Sequence, residues 1–457
     1  MIVLLVVGAA MPVHAQDNDR ADEGRSPALC GPDDTPEPGI QGEVPAGETA
    51  NFNCGLTLLA EIPSVGALQG ADHCAYVRTG DRILVIDVSD STNPTEVGSV
   101  PTFGASETMR AVVTDDRAVL VSGSGVYDIS DCENPAVKGQ ILWPSVGLTG
   151  INVNLLPHDI RIDHGGNKVY ASFGVWEVDI TDLDDPSTWT ITNHWCDVLA
   201  QYNPIHKQVA AADLSLCDQG DTGTFTLGAN PLQASLLWPP MSHSPDTNEA
   251  DTRLYVGDQS GGTSANWEPK PFLRVIDLTQ DPPRVLAKAP GSGHSVDWFR
   301  TADGREFVLH ANEAGIGDTC KRNRPEALGW AFDAVITEVT RDKAKRVSKL
   351  ELAINTPKFC EAKVASGADS SIAHQMVANP DDVKFAAVSF GSAGLRVFDI
   401  RNPKKPIEVA YFNHGGLVHA GIAHYDASRG LLYVPSADGF KVLEIQPQVS
   451  EHLGLDE

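Results

Sequence analysis

The feature that most constrains this chain is a strand-and-turn unit that returns along most of its length. An apolar run ends in an acidic residue, a β-branched residue and a polar turn that often closes on proline. Copies stand at residues 84–94 (LVIDVSDSTNP), 125–135 (GVYDISDCENP), 175–182 (VWEVDITD), 273–279 (LRVIDLT), 395–403 (LRVFDIRNP) and 440–445 (FKVLEI), with a degraded one at 331–337 (AFDAVIT). Short runs of β-branched and aromatic residues bounded by Asp, Asn, Gly and Pro are strand signals, and self-similarity along a chain marks one supersecondary unit stacked on itself. Seven copies predict seven units.

Each copy is preceded by another strand, as at 168–172 (KVYAS), 253–257 (RLYVG), 306–310 (EFVLH) and 431–435 (LLYVP), and most are followed by one more, as at 95–100 (TEVGSV) and 407–412 (IEVAYF). With the strand that opens the unit, this makes four short antiparallel strands joined by tight turns, which 41 glycines and 30 prolines suit. The fold class expected is all-β: a seven-bladed β-propeller of four-stranded antiparallel blades. The last copy stops soon after Ile445 without a fourth strand, whereas residues 56–62 (LTLLAEI) have the pattern of a fourth strand with no unit ahead of them. Pairing the two would complete the last blade with an N-terminal strand and remove two sheet edges. An open β-solenoid or a pair of sandwiches is the alternative the pattern leaves.

The strand LVIDVSD with its following Asn-Pro, and LRVFDIRNP, resemble the LVIVD repeat of bacterial extracytoplasmic β-propellers. The resemblance runs from about Leu56 to Gln446 and is clearest in the first, second and sixth units; long insertions between Asp179 and Asp277 and the weak fifth copy depart from it. It implies the fold and carries no common activity.

The N-terminus reads as an export signal over residues 1–15. A short apolar run is too brief to span a bilayer, and Val13-His14-Ala15 sets small residues before Gln16. An acidic, Pro/Gly-rich extension over 16–53 follows, its stretch 17–47 expected to have nothing to pack against it, then the propeller over 54–447 and a tail over 448–457. The expected location is periplasmic or extracellular. Eight cysteines fit an oxidising compartment. Local pairs are Cys30 with Cys54, Cys74 with Cys132, Cys196 with Cys217 and Cys320 with Cys360, although sequence alone does not fix connectivity. A formal charge of -27 excludes nucleic acid as partner, because phosphate binding needs a positive surface. No membrane insertion is expected.

When the units are aligned on their acidic strands, His158, His243, His294, His374 and His419 fall at one point, with Ser64 and Arg110 there in the first two units. A lone histidine at a strand start is usually structural, but independent structural needs would not repeat the residue type around a ring. First strands line the propeller axis, so the five imidazoles are expected to converge on a metal. No carboxylate or thiolate occupies the aligned position, which speaks against calcium and magnesium and for copper or iron, with zinc next. Asp159, Ser295 and Gln375 adjoin the ligands and could orient them. The arrangement is similar to that of selenium-binding proteins with methanethiol oxidase activity and of carotenoid-cleaving oxygenases, in placement alone; none of their motifs occurs.

The expected function is a metal-dependent enzyme of oxidase, oxygenase or lyase type acting on a small-molecule substrate. Arg110 is the candidate for binding a substrate anion, with an ion pair to Glu107 or Asp72 as the alternative. Trp195, Trp238, Trp267 and Trp298 are candidates for a substrate wall or for core. His424 is a reserve ligand on the strand of His419. A non-catalytic binding or scaffold propeller with structural histidines is the competing class.

Overall fold

A computed structural model of the chain describes residues 24–45, 48–104, 106, 108–143, 145–148, 151–154, 157, 159–172, 176–194, 225–227, 241–259, 272–280, 283–290, 293–311, 334–356, 358–359, 373, 376–378, 383–414, 424–436 and 438–455. Seven four-stranded antiparallel blades form a ring, a β-propeller. The first strands of the blades are Leu68–Ala71, Met109–Val113, Ile160–Ile162, Met241–Thr247, Val296–Arg300, Met376–Ala378 and His424–Asp426. Each touches the next from the first blade to the sixth, and the seventh touches the first, which makes them the inner strands.

The repeat has a physical reading. Its acidic residue ends the third strand of a blade, and its Oδ1 accepts the backbone N–H two residues on: Asp87 from Ser89 (2.8 Å), Asp128 from Ser130 (3.0 Å), Asp179 from Thr181 (2.8 Å), Asp277 from Thr279 (2.9 Å) and Asp399 from Arg401 (3.0 Å). These Asx turns stop the strand and reverse the chain. They also stabilise the charged form, so all five carboxyls lie below the usual aspartate value. The residue after the aspartate turns inward and is buried, as Val88, Ile129, Ile180 and Ile400 are. In every blade, the pairing of third and fourth strands slips by one residue, between Val85 and Ile86 in the first and Ile336 and Thr337 in the fifth. Such a bulge adds twist to the outer edge of a blade. The degraded fifth copy keeps the bulge, which sets Glu338 where the first blade has Asp87, with the buried Val339 after it.

The ring closes as expected. Leu56–Ile62 pairs antiparallel with Gly439–Ile445, Leu56 opposite Ile445 and Ile62 opposite Phe440, and becomes the fourth strand of the seventh blade. In the third blade, the fourth strand Thr190–His194 follows a short 3-10 turn at Pro186–Thr188 inside what reads in sequence as an insertion. Phe225–Leu227 joins Ser145–Leu148 and Ile151–Asn154 in a small separate sheet.

The extension corrects an expectation. Its described part packs closely on the sixth and seventh blades. Asn51–Cys54 adds a fifth strand to the sixth blade, against Ile407–His414, and a disulfide joins Cys30 to Cys54. Asp34 accepts from Gly31, Gly55, Asn53 and Gln446. The Arg396 guanidinium, fully buried, lies between Glu37 and Glu408 and over the ring of Tyr411, 4.6 Å from its centroid. An acidic segment therefore has a partner after all, a cation inside the blade. Cys74 pairs with Cys132 as expected, joining the first and second blades; Cys196, Cys217, Cys320 and Cys360 lie outside the described residues.

Breaking a buried ion pair from one side leaves an uncompensated charge. Glu37→Ala is therefore expected to lower the unfolding free energy by about 3 kcal/mol in a urea titration, far more than an exposed carboxylate such as Glu96 would.

Candidate functional site

The inner strands are joined by side chains of one blade that accept backbone N–H groups of the next. Ser244 and Asp246 of the fourth blade take the N–H groups of Val296 (3.2 Å) and Trp298 (2.6 Å), alternate residues on the inner strand of the fifth. Thr108, just before the inner strand of the second blade, takes that of Ile160 in the third (3.1 Å). An inner strand has an open edge, and these contacts satisfy donors that water would otherwise have to reach.

His243 and His294 come together within this frame. The pairing of Met241–Thr247 with its neighbour sets Ser242 opposite Asp258 and Ser244 opposite Gly257, so His243 is the extra residue of a β-bulge. A bulge re-aims a side chain that regular alternation would send elsewhere. His243 directs its Nδ1–H to the backbone carbonyl of His294 at 2.6 Å, and the rings lie 3.9 Å apart between centroids, tilted by 34°. Both residues are buried. Two glycines permit the approach: a Cβ on Gly293 would lie 2.4 Å from the Cα of Gly257, so any side chain there would push away the segment carrying His294. His158, His374 and His419 lie outside the described residues, as do Gln375, Trp195, Trp238 and Trp267.

Sequence reasoning missed the charges behind the histidines. Three residues after each of these two histidines stands an aspartate, Asp246 and Asp297, and three after His158 stands Arg161; the repeated His-Ser-x-Asp was a readable signal. Asp246 is fully buried. It accepts from Thr247 N–H (2.7 Å) and Trp298 N–H, and its Oδ1 lies 2.7 Å from Arg161 Nε. Burial pushes the Asp297 carboxyl up to about 7, with Arg110 opposing and Asp246 and Asp159 assisting. The Arg110 guanidinium, on the inner strand of the second blade, is pulled below the ordinary arginine value by burial and held up by Asp159. Arg110 therefore lies within electrostatic reach of inner-strand groups from the third, fourth and fifth blades. Among the described residues it makes no ion pair, to Asp72 or to any other carboxylate.

His424, His310, His164 and His452 have structural surroundings. His424 stacks on Tyr433 at 5.7 Å, its Nδ1 is 3.3 Å from Gln69 Nε2, and its ring fills the space over Gly70. Burial pulls it down to about 4. It joins the seventh blade to the first. His310 Nε2 sits 2.9 Å from Thr337 Oγ1 in the fifth blade, His164 packs edge-on to Trp298, and His452 bonds Asp399 at the surface. Trp298 is core of the fifth blade. His73 gathers with Asp87 and Glu133 on the outside, against the Cys74–Cys132 disulfide.

A model of the LVIVD repeat matches residues 74–102, which span the second, third and fourth strands of the first blade. The chain is thus a seven-bladed β-propeller carrying an LVIVD repeat. No curated protein matches it. Among solved structures it is similar to the β-propeller domain of Cps50 (Swd1) from Myceliophteria thermophila, at 10% identity and a TM-score of 0.49 over 86% of this chain and 100% of that one. It is also similar to the RRP9 WD40 repeats, at 9% identity and a TM-score of 0.49 over 88% and 99% of the two chains.

Asp297 gives this site a pH signature. Its folded value is raised above the unfolded one, so the stability it allows is fully present below about pH 4 and is lost as pH rises through about 7. Asp297→Asn removes that loss. The stability gain of the variant over the wild type, from urea unfolding, is expected to be larger by about 2 kcal/mol at pH 8 than at pH 5.

Proposed function

We propose that this chain is an exported metalloenzyme that holds one transition-metal ion at the axis of the propeller and acts on a small molecule there. His243 and His294 are the ligands this reading starts from, with His158, His374 and His419 at the equivalent places in their units. The observation that carries it is the hydrogen bond from His243 Nδ1–H to the His294 carbonyl. A neutral imidazole that donates from Nδ1 carries its lone pair on Nε2, and a carbonyl behind the ring is the usual way a protein fixes a ligand histidine in that tautomer. The two imidazoles lie side by side on adjoining blades, 3.9 Å between centroids and tilted by 34°. Borderline nitrogen donors favour copper or iron, then zinc, and a redox-active ion there would supply oxidase or oxygenase chemistry.

The charged groups on the same inner strands fit a catalytic role better than a purely architectural one. Asp297 titrates near neutrality and could take or give a proton, and Arg110 could hold an anionic substrate. Two disulfides, Cys30–Cys54 and Cys74–Cys132, support export. Among the described residues no helix is long and apolar enough to cross a membrane.

A second reading rests on the same hydrogen bond. It joins the fourth blade to the fifth, as Ser244 and Asp246 do, so His243 could serve as a structural clasp in a binding or scaffold propeller. Metal content separates the two. Purified protein loaded in turn with copper, iron and zinc, then dialysed against a weak chelator, is expected to keep about one ion per chain by elemental analysis. The double variant His243→Ala/His294→Ala should keep less than a tenth of that, with an unchanged far-ultraviolet circular dichroism spectrum. A wild-type chain that keeps no metal, or a double variant that keeps it all, overturns the metal site. A double variant that unfolds where metal-free wild type stays folded assigns the histidines to the clasp.

A further inference from the structure

We infer that the inner strands of the second and third blades carry a binding site for a small carboxylic acid with a hydrogen-bond donor beside its acid group, Arg110 holding the carboxylate and Asp159 the donor. The inference deepens the axial reading above by naming its substrate class, and it depends on that reading for place and not for metal.

Arg110 is only 6% exposed, yet its guanidinium makes no hydrogen bond or ion pair among the described residues, and its Nε is buried without an acceptor. A guanidinium offers five N–H donors in a rigid fork, and leaving them unmade inside a protein is costly. Neighbouring carboxylates lie within electrostatic range, but each is committed elsewhere. Asp246 is taken by Arg161 Nε and by the N–H groups of Thr247 and Trp298. Asp159 turns its Oδ1 to Thr108 Oγ1 and to the Ile160 N–H at 2.8 Å. Burial drives Asp297 toward its neutral form. The cation thus has charge compensation at a distance and no contact.

Asp159 shows the complementary deficit. It is fully buried, and its Oδ2 meets no donor among the described residues. At the joint of the second and third blades there stand, then, a guanidinium and a carboxylate oxygen that have no hydrogen-bond partner among the described residues. A ligand that satisfies both carries an anionic oxygen pair for Arg110, bound through parallel N–H···O contacts, and a hydroxyl or ammonium group for Asp159 Oδ2. The two carboxylates nearby, Asp159 and Asp246, repel a second negative charge, so a monoanion fits where sulfate does not. Hydroxy acids and amino acids share this chemistry.

The test uses the full chain after chelator treatment, with glycolate, glycine, acetate and sulfate as probes read by calorimetry and thermal shift. Glycolate or glycine is expected to bind saturably, with acetate at least about 10-fold weaker because it lacks the donor, and sulfate weaker still. Preference between glycolate and glycine identifies hydroxyl or ammonium as the donor. Arg110→Met should weaken the preferred probe at least about 10-fold. Asp159→Asn keeps an acceptor for Thr108 and Ile160 but puts a donor at the Oδ2 place, so it should bring glycine, whose ammonium cannot accept, down to the level of acetate, weaken glycolate, whose hydroxyl loses a charged acceptor, and leave acetate unchanged. No probe binding to folded wild type overturns the proposal, since water then fills the site; so does binding that Arg110→Met leaves intact. If Arg110→Met does not fold, the ratio of preferred probe to acetate in Asp159→Asn decides, and an unchanged ratio overturns it. Because no metal is present, neither result bears on the metal measurement.

Discussion

Everything on the axis depends on one pairing, that of Leu56–Ile62 with Gly439–Ile445. A stack of four-stranded sheets has an open edge and an unmatched face at each end, and only closure removes both at once. The seventh blade is built from the two ends of the chain, so the ring cannot close until the last repeat has been made and the N-terminal strand has found it. Leu56 and Ile445 sit in one cluster with Phe385, Leu395 and Val397 of the sixth blade, while Phe440 and Val442 pack on Leu68, Ala75 and Ile86 of the first. The same sheet thus presents one apolar face to each neighbour. The disulfide, the added strand Asn51–Cys54 and the Glu37–Arg396 pair all act next to this seam, on the sixth blade, where they hold the N-terminal strand against departure.

Once closed, the ring places chemically different requirements on the two sides of a blade. Sheet faces meet sheet faces through Val, Ile, Leu and aromatic side chains, and burial of that apolar area supplies the driving force. The inner edges cannot be apolar in the same way, because each inner strand exposes backbone groups that need partners. Polar side chains such as Thr108, Ser244 and Asp246 meet that need, and once they are present, further polar groups can be held among them without facing hydrocarbon. The architecture thereby makes the inner strands a buried region where charges such as Arg110, Arg161, Asp246 and Asp297 are tolerable, as Arg396 is between Glu37 and Glu408 in the sixth blade.

The fold was legible because its signal is repeated and local. The aspartate that ends each third strand, the buried β-branched residue after it and the turn that follows are set by backbone hydrogen bonds within five residues, so every blade writes them again. The closing strand was legible from a count: one fourth strand was missing at one end and one was spare at the other. The packing of the extension was not legible, since an acidic Pro/Gly-rich segment reads as solvated until Arg396, more than 350 positions away, is seen to lie beneath Glu37. Alignment found His243 and His294, but it treated them as regular strand positions. A bulge at His243 and the glycine contact between Gly257 and Gly293 set how they meet, and neither is visible without the register.

The charged groups beside the histidines sharpen what kind of site an axis of this composition can be. A buried ion pair is weak evidence for stability, because replacing it by apolar residues of similar volume is often neutral or better. Arg161 and Asp246 could be explained as such a pair, stitched to the fifth blade through Trp298. Arg110 and Asp297 cannot, since the first makes no ion pair among the described residues and the second is displaced to near neutrality by its burial. A structural network would be expected to satisfy its members. Asp159 instead gives its Oδ1 to the Thr108 hydroxyl and the Ile160 N–H, groups of the joint between the second and third blades. The residues that join these blades are therefore also the ones that engage this acid, Thr108 bonding both the Asp159 carboxylate and the Ile160 N–H, so blade closure and the polarity of the axis are set by the same contacts.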